Sequence, residues 1–506
     1  MNNSYTTDDV LLSDDQDKMD SSELSWEQYN ESQTLIYKHS SNDSIFQSFY
    51  RDNVRYSKLK WLALIFVSMQ AFGIYYWYDI VKKAQQQIRK EITKEPNKED
   101  GTPKYDLLYS VPSYGSIILP LFGGWLIDTI GLNSWFIIFS IVLTIGQFII
   151  MVSSFFIGQY TTSLTLAMIG RFLLGVGKDT GDLCRYVALN NWFIGQEFGF
   201  AFGVSISSLR FGNIIDDFIT PPLAEIHLSV AFAFGLFVWA LVIVFSILLL
   251  RLENFRKNIE RQQFISKESY EEKFKCSDIK KIRARFWVIC LIIIWLYISK
   301  DCFIYISTSF FKLRYGFTKS LITLRIWCIV YIIPVIFWPF AGMLIDRKGR
   351  RVTFLIVSSL MMVISHILFL SIPPKTGTTG TTETVFGFIA LFILSSSYTI
   401  FWICIWTIIP LVLKPNTIGT GFGIANICSN VGNALTPLFQ KTLLGDTDEQ
   451  KYQGIIIVWT VFAIMATLLS ILLLVVDILY TRSHKSQIVR YKEYVKRIEE
   501  SNINSL

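Results

Sequence analysis

Four charged residues lie where a hydrocarbon solvent would be expected. Asp179, Asp182 and Arg185 fall within the run that begins at Gly170, and Arg210 falls within the apolar run that follows. A charge at a bilayer centre costs about 2.5–3.5 kcal/mol, so such groups face a partner or a watery cavity. At helical spacing Asp182 neighbours Arg185, and Arg210 shares a face with Asn213 and Asp217. The chemistry these residue types support is non-covalent. A carboxylate receives an ammonium, and a guanidinium grips a carboxylate with two parallel hydrogen bonds. Two neighbouring membrane segments that carry both signs predict a polar path through a bilayer. A plain Asp179–Arg210 ion pair tying the two segments together is the competing reading.

The elements that position these groups are apolar. The 506-residue chain is 52% hydrophobic, and its mean hydropathy is +0.41. Only 17% of residues are charged, against about 25% in soluble proteins. Twelve runs approach or exceed the ~20 residues that span a bilayer. They fall near 58–81, 106–128, 133–157, 162–188, 199–220, 226–250, 286–311, 318–343, 352–373, 385–413, 417–440 and 454–480. The expected organisation is a polar N-terminal tail (1–57), a six-helix bundle (58–250), a basic cytosolic linker (251–285), a second six-helix bundle (286–480) and a C-terminal tail (481–506). No apolar h-region precedes residue 58, so no cleavable signal peptide is expected. Residues 1–57 read as disordered and cytosolic.

With both termini inside, inner segments hold 26 Lys and Arg and outer loops 13. Positive residues gather on the cytosolic side, which sets this orientation. The formal charge of +7 follows that topology and gives no reason to expect nucleic acid. Six of the seven cysteines lie in apolar runs, so neither a disulfide framework nor a zinc site is expected. No nucleophile elbow, metal-spaced histidine cluster or P-loop occurs, so neither an enzyme nor a cofactor is implied.

The two halves repeat. Gly124-Trp-Leu-Ile-Asp128-Thr-Ile-Gly131 and Gly342-Met-Leu-Ile-Asp346-Arg-Lys-Gly349-Arg350-Arg351 lie 218 residues apart. Phe202-Gly203, followed by Arg210, Gly212 and Asn213, matches Phe422-Gly423, followed by Asn430, Gly432 and Asn433, at an offset of 220. Asn430 is therefore the repeat partner of Arg210. Parallel repeats about an axis along the membrane normal form one established transporter plan, with substrate near the midplane between them.

The run at 342–351 resembles the loop signature of the major facilitator superfamily, and Arg171-Phe-Leu-Leu-Gly175-Val-Gly177 resembles its fourth-span motif. Gly170-Arg-Phe, Trp192-Phe193-x-Gly195-x-Glu197, Phe202-Gly203, Ser207-x-x-Arg210-x-Gly212, Tyr75-Tyr76-x-Tyr78-Asp79, Ser365-His366 and Ser397-Tyr398 through Trp406 together resemble the lysosomal dipeptide transporter branch. The resemblance covers about 61–480. It implies an all-α membrane protein of the major facilitator fold, with twelve transmembrane helices in two pseudo-symmetric six-helix bundles. It also implies facilitated export of short peptides from lysosomes. Asp179 then takes the peptide amine and Arg210 its carboxylate. Trp406 matches a family aromatic. Tyr75 and Tyr78 are candidates for the outer mouth. Asp128, Gly131, Asp346, Gly349, Arg350 and Arg351 form the gating motif, although Asn133 stands where a basic residue is usual.

The chain also departs from that pattern. Lys300-Asp301 lies mid-way along the seventh span, Arg325 in the eighth, and Lys178 precedes Asp179 where a small residue is usual. A cavity more charged than the family norm keeps single amino acids or organic ions open as substrates, with proton coupling. A non-transporting sensor or scaffold is the remaining class. Two acidic dileucine-type sorting candidates sit in the N-terminal tail, ending at Leu11-Leu12 and Leu35-Ile36. They point to an endolysosomal membrane, with the plasma membrane as the alternative. The expected outer loops hold no Asn-x-Ser/Thr sequon. That absence and the resemblance both point to a single-span glycosylated lysosomal accessory subunit. The remaining expected partners are a small-molecule substrate and the lipid bilayer.

Overall fold

Where they are described, the apolar runs fold as helices, because in lipid every backbone N–H and C=O must be satisfied within the segment. The computed structural model describes residues 58–94, 103–193, 197–264, 276–315, 329, 332–371, 381–444 and 449–483. Its long helices are α1 (Leu59–Tyr78), α2 (Pro103–Ile130), α3 (Leu132–Ser153), α4 (Tyr160–Trp192), α5 (Phe198–Ile226), α6 (Leu228–Phe264), α7 (Ala284–Tyr315), α8 (Ile333–Lys348), α9 (Arg351–Ser371), α10 (Thr381–Val412), α11 (Ile418–Leu444) and α12 (Glu449–Ser483). No strand occurs among the described residues. Short helices Ile80–Lys83 and Gln85–Glu91 continue α1 outward. The sorting candidates Leu11, Leu12, Leu35 and Ile36, and Arg325, lie outside the described residues.

Among the described residues seven helices are long and apolar enough to cross a membrane by length and composition: α1, α3, α5, α6, α9, α10 and α12. α4 is not among them because Arg171, Lys178, Asp179, Asp182 and Arg185 lie within it. Large apolar side chains such as Ile141, Phe148, Phe211, Phe237, Phe337 and Leu468 point outward, which suits a lipid solvent. In the N-terminal half α4 packs on α2 and α3, and α1 on α5 and α6. In the C-terminal half α7 packs on α11 and α12, and α9 on α10 and α12. Two pairs make the main contact between the halves, α2 with α11 and α5 with α8, and the repeat exchanges these pairs; α4 with α11 and α5 with α10 add smaller contacts.

Several helices run past their expected ends, among them α4, α5, α6 and α7. α4 continues through Asn190 and Asn191 to Trp192, and α6 continues to Phe264. Hydropathy marks where the bilayer ends, whereas a helix continues while side chains support it. The buried Glu253–Arg256 pair (2.5 Å) supports α6, and the Arg256 guanidinium lies 5.9 Å from the Trp192 ring centre.

The joining pairs approach at glycine. A Cβ on Gly124 would meet the Gly419 carbonyl oxygen at 2.2 Å, and one on Gly342 would meet that of Gly199 at 2.2 Å. Only the absence of a side chain allows backbones this close.

Candidate functional site

At one end of the bundle the repeated motif ties the halves together twice. Asp128, near the end of α2, accepts from the first amides of α11. Its Oδ1 takes the Gly419 N–H at 2.8 Å, and its Oδ2 takes the Thr420 N–H at 2.6 Å and the Thr420 hydroxyl at 2.7 Å. Asp346, near the end of α8, takes the Phe200 N–H of α5 on Oδ2 at 2.8 Å. Helix N-termini leave amides unpaired and carry positive potential, so a carboxylate there satisfies both. Gly131 and Gly349 follow the two carboxylates with φ of 90° and 66°, a backbone region in which glycine meets no Cβ penalty.

The two copies differ in their third partner. Arg351 donates to Asp346 Oδ1 at 3.0 Å and to the Thr407 carbonyl at 3.1 Å. Its repeat counterpart, Asn133, instead donates to Asn254 on α6 at 2.6 Å. Arg350 is exposed at the head of α9. The same end of the bundle is filled by aromatic rings. Tyr186 of α4 lies 4.7 Å from Trp406 of α10, 5.2 Å from Phe202 of α5 and 5.7 Å from Phe422 of α11. This places Trp406 in a plug between the halves. Tyr186 was not among the sequence candidates, although it lies four residues after Asp182 on the same helix face.

Deeper in the bundle α4 presents a charged ladder. Asp179 is 4% exposed. Its Oδ1 receives the Lys178 ammonium at 2.8 Å, and its Oδ2 receives the Asn430 amide of α11 at 3.1 Å. The same Asn430 Nδ2 donates to the Ser116 carbonyl of α2 at 2.6 Å. One turn on, Asp182 pairs with Arg185 and accepts the Tyr75 hydroxyl of α1 at 2.7 Å. Arg185 also reaches the Ser205 hydroxyl of α5 at 3.2 Å. The Tyr75 and Tyr78 rings flank Lys178, each 5.0 Å from its ammonium. The Arg171 guanidinium lies 5.2 Å from the Tyr78 ring and donates to the Tyr78 carbonyl at 2.9 Å.

Arg210 of α5 sits over the ring of Trp338 on α8, 6.0 Å from its centre. In the C-terminal half, Lys300 of α7 is 6% exposed, 4.2 Å from the Tyr398 ring centre and 5.2 Å from that of Tyr297. Asp301 continues α7 beside it. Thus Asp179 and Arg210 both project from the N-terminal half onto the C-terminal half, one onto α11 and the other onto α8. Asp217, expected beside Arg210, pairs with Lys83 beyond α1. Among the described residues no group of histidine, cysteine, aspartate and glutamate suits a metal ion.

The sequence profile of the Major Facilitator Superfamily matches residues 101–437 and 329–491. The chain belongs to the major facilitator superfamily. It is similar to the lysosomal dipeptide transporter MFSD1 of Danio rerio, with 26% identity over 431 residues, 82% of this chain and 87% of that protein. The Homo sapiens protein of the same name is 24% identical over 428 residues, 82% of this chain and 85% of that one. Among solved structures, a double tryptophan mutant of XylE has a TM-score of 0.65 at 13% identity, covering 81% of this chain and 95% of that chain. The human organic anion transporter MFSD10 has a TM-score of 0.61 at 12% identity, covering 82% and 100%. Those likenesses show the fold. The chain is a multi-pass membrane transporter with the all-α major facilitator fold.

Proposed function

We propose that this transporter carries dipeptides or similar small zwitterions by alternating access, and that it releases them from lysosomes by facilitated diffusion. The observation that carries this reading is the pair of opposite charges on the half-to-half interfaces. The buried Asp179 carboxylate touches Asn430 of α11, and the Arg210 guanidinium faces Trp338 of α8. A zwitterion bridging them would replace contacts now made between the halves, so binding and rearrangement are coupled. Asp128, Asp346, Arg351 and the Tyr186–Trp406 plug would hold one end shut, with Gly131, Gly349 and Arg350 shaping its loops. Positive-inside bias makes that end cytosolic, with both termini on the same side. Lys300, Asp301, Tyr75 and Tyr78 would tune which side chains are accepted. The MFSD1 relatives, described by name as lysosomal dipeptide transporters, support both substrate class and compartment. A glycosylated single-span subunit would shield the outer loops, and the dileucine-type segments would deliver the complex.

The test is a thermal-shift screen of the purified protein against dipeptides, single amino acids and organic ions, since a ligand that binds only the folded state raises its apparent stability. Stabilisation by dipeptides that disappears in Arg210→Ala supports the proposal. Stabilisation by organic ions or amino acids alone overturns the substrate class. Proton-coupled transport of such ions is the second reading. It is favoured by Asp216, which is wholly buried and whose Oδ2 has no hydrogen-bond partner among the described residues. Acidification driven by substrate is its readout.

A further inference from the structure

The carboxylate assigned above to the substrate's amine already holds one. Lys178 Nζ lies 2.8 Å from Asp179 Oδ1, in a site where the two side chains are 17% and 5% exposed. Adjacent residues on a helix do not ordinarily face each other, so this contact requires the lysine stem to bend back along α4. The bend is supported by α1, whose Tyr75 and Tyr78 rings each lie 5.0 Å from the ammonium. The other acid of the ladder, Asp182, is taken by Arg185 and the Tyr75 hydroxyl. Asp179 is therefore the carboxylate whose cation sits on a flexible four-carbon tether rather than a planar fork.

A second observation shows where that cation can go. Behind Lys178, within the N-terminal half, lies a cavity of about 10 Å³, where Trp77, Tyr78, Gln147, Lys178 and Trp239 share the lining with three aliphatic side chains. That volume admits one water-sized group, and an ammonium is of that size. Gln147 is 1% exposed, and its Nε2 has no hydrogen-bond partner among the described residues. An ammonium there could be received only by the carbonyl oxygen of that amide. The surrounding rings accept a cation on their faces, and Trp239 is fixed by its indole N–H on the Thr144 hydroxyl at 2.9 Å.

We propose that Lys178 is a tethered stand-in for the substrate's ammonium. It occupies Asp179 in the empty carrier, and the substrate's amine displaces it toward the Tyr75–Tyr78 rings and the cavity behind them. Lys178 is then a specificity-determining residue. It keeps Asp179 neutralised when no substrate is present, and it excludes ligands whose amine competes poorly with a primary ammonium held at high local concentration. The displacement rests on the reading of Asp179 as an amine site, whereas the resting Lys178–Asp179 pair does not.

Two arms on the purified full-length protein separate these. In the first, without ligand, melting temperatures are compared for wild type, Lys178→Gln, Asp179→Asn and the double variant. A buried charge left without its partner is costly. Asp179→Asn should therefore melt lower than wild type, and Lys178→Gln added to it should recover part of the loss. Additive losses overturn the pair. In the second arm, alanyl-alanine and N-acetyl-alanyl-alanine are titrated into wild type, Lys178→Gln and Lys178→Arg. Removing the tethered competitor should tighten the free-amine peptide about tenfold, the factor that corresponds to 1.4 kcal/mol. The N-acetyl peptide should change little, and Lys178→Arg, whose planar fork grips a carboxylate with two hydrogen bonds, should weaken the free-amine peptide relative to wild type. Equal change for both peptides, or none for either, overturns the displacement. If no dipeptide binds wild type, the substrate reading fails, and the pair still stands or falls on the first arm.

Discussion

Gly342→Ala probes whether the end of the bundle near Gly131 and Gly349 is a gate. A Cβ at Gly342 would lie 2.2 Å from the Gly199 carbonyl oxygen and 2.5 Å from its carbonyl carbon. Ordinary contact begins near 3.4 Å, so α8 must draw away from α5 by roughly 1 Å, beyond what side-chain adjustment absorbs in a packed interior. The Asp346–Phe200 hydrogen bond, now 2.8 Å, would then stretch to about 4 Å, outside hydrogen-bond range. A bond to a charged group contributes about 1.5–3 kcal/mol, so the closed arrangement should lose roughly ten- to a hundredfold in population. Spin labels at the exposed positions Thr129 and Lys348 report the separation of the halves. The distance distribution should shift to longer values in Gly342→Ala, and also in Gly124→Ala, which meets Gly419 in the repeat. Gly158→Ala, with nothing within 4 Å of its added Cβ, is the control. Unchanged distances in both variants would refute the gate.

The same geometry orders two further substitutions. Asp346→Asn leaves the 7% exposed Arg351 without its carboxylate, a loss of about 3–5 kcal/mol when a buried pair is broken. Asp128→Asn strands no arginine and should open the gate less; the reverse order, read with the same labels, would contradict the account. Asp182→Asn strands the wholly buried Arg185 and should destabilise the fold by about 3–5 kcal/mol, with Asp182→Asn/Arg185→Met recovering most of the lost melting temperature. Trp406→Ala empties the plug against Tyr186 and should cost about 3–5 kcal/mol. Because the ring packs against the gate, transport should fall equally for every substrate, and a selective loss in competition assays would place Trp406 in the binding site instead.

The fold was legible because lipid imposes length and polarity on each span, and because the repeat writes the same physical task twice. Asp128 and Asp346 lie 218 residues apart and each caps the helix that the repeat assigns to it. The Asp182–Arg185 pair followed from helical spacing. The contacts of Asp179 did not. Spacing rules pair residues three or four apart, whereas its cation is the adjacent Lys178 and its second donor is Asn430, 251 positions away. Trp406 was readable as a matching aromatic, but its depth along α10 depends on packing against Tyr186, which carries no sequence signal of its own. Trp338, which receives Arg210, was equally silent, because a tryptophan in an apolar run looks like any lipid-facing ring. The distribution of charge in Asp216, Asp217 and Lys83 required knowing how α5 meets the helix after α1.

The central claim is that Asp179 and Arg210 hold opposite ends of one small zwitterion. Its most direct test is counterflow of radiolabelled alanyl-alanine into proteoliposomes containing wild type, Asp179→Asn or Arg210→Ala, each chased with free, N-acetylated or C-amidated dipeptide. The account predicts exchange by wild type and loss of exchange in Arg210→Ala. In Asp179→Asn the advantage of the free-amine peptide over its N-acetyl form should disappear. Full exchange by Arg210→Ala, or an unchanged preference for the free amine in Asp179→Asn, would contradict it.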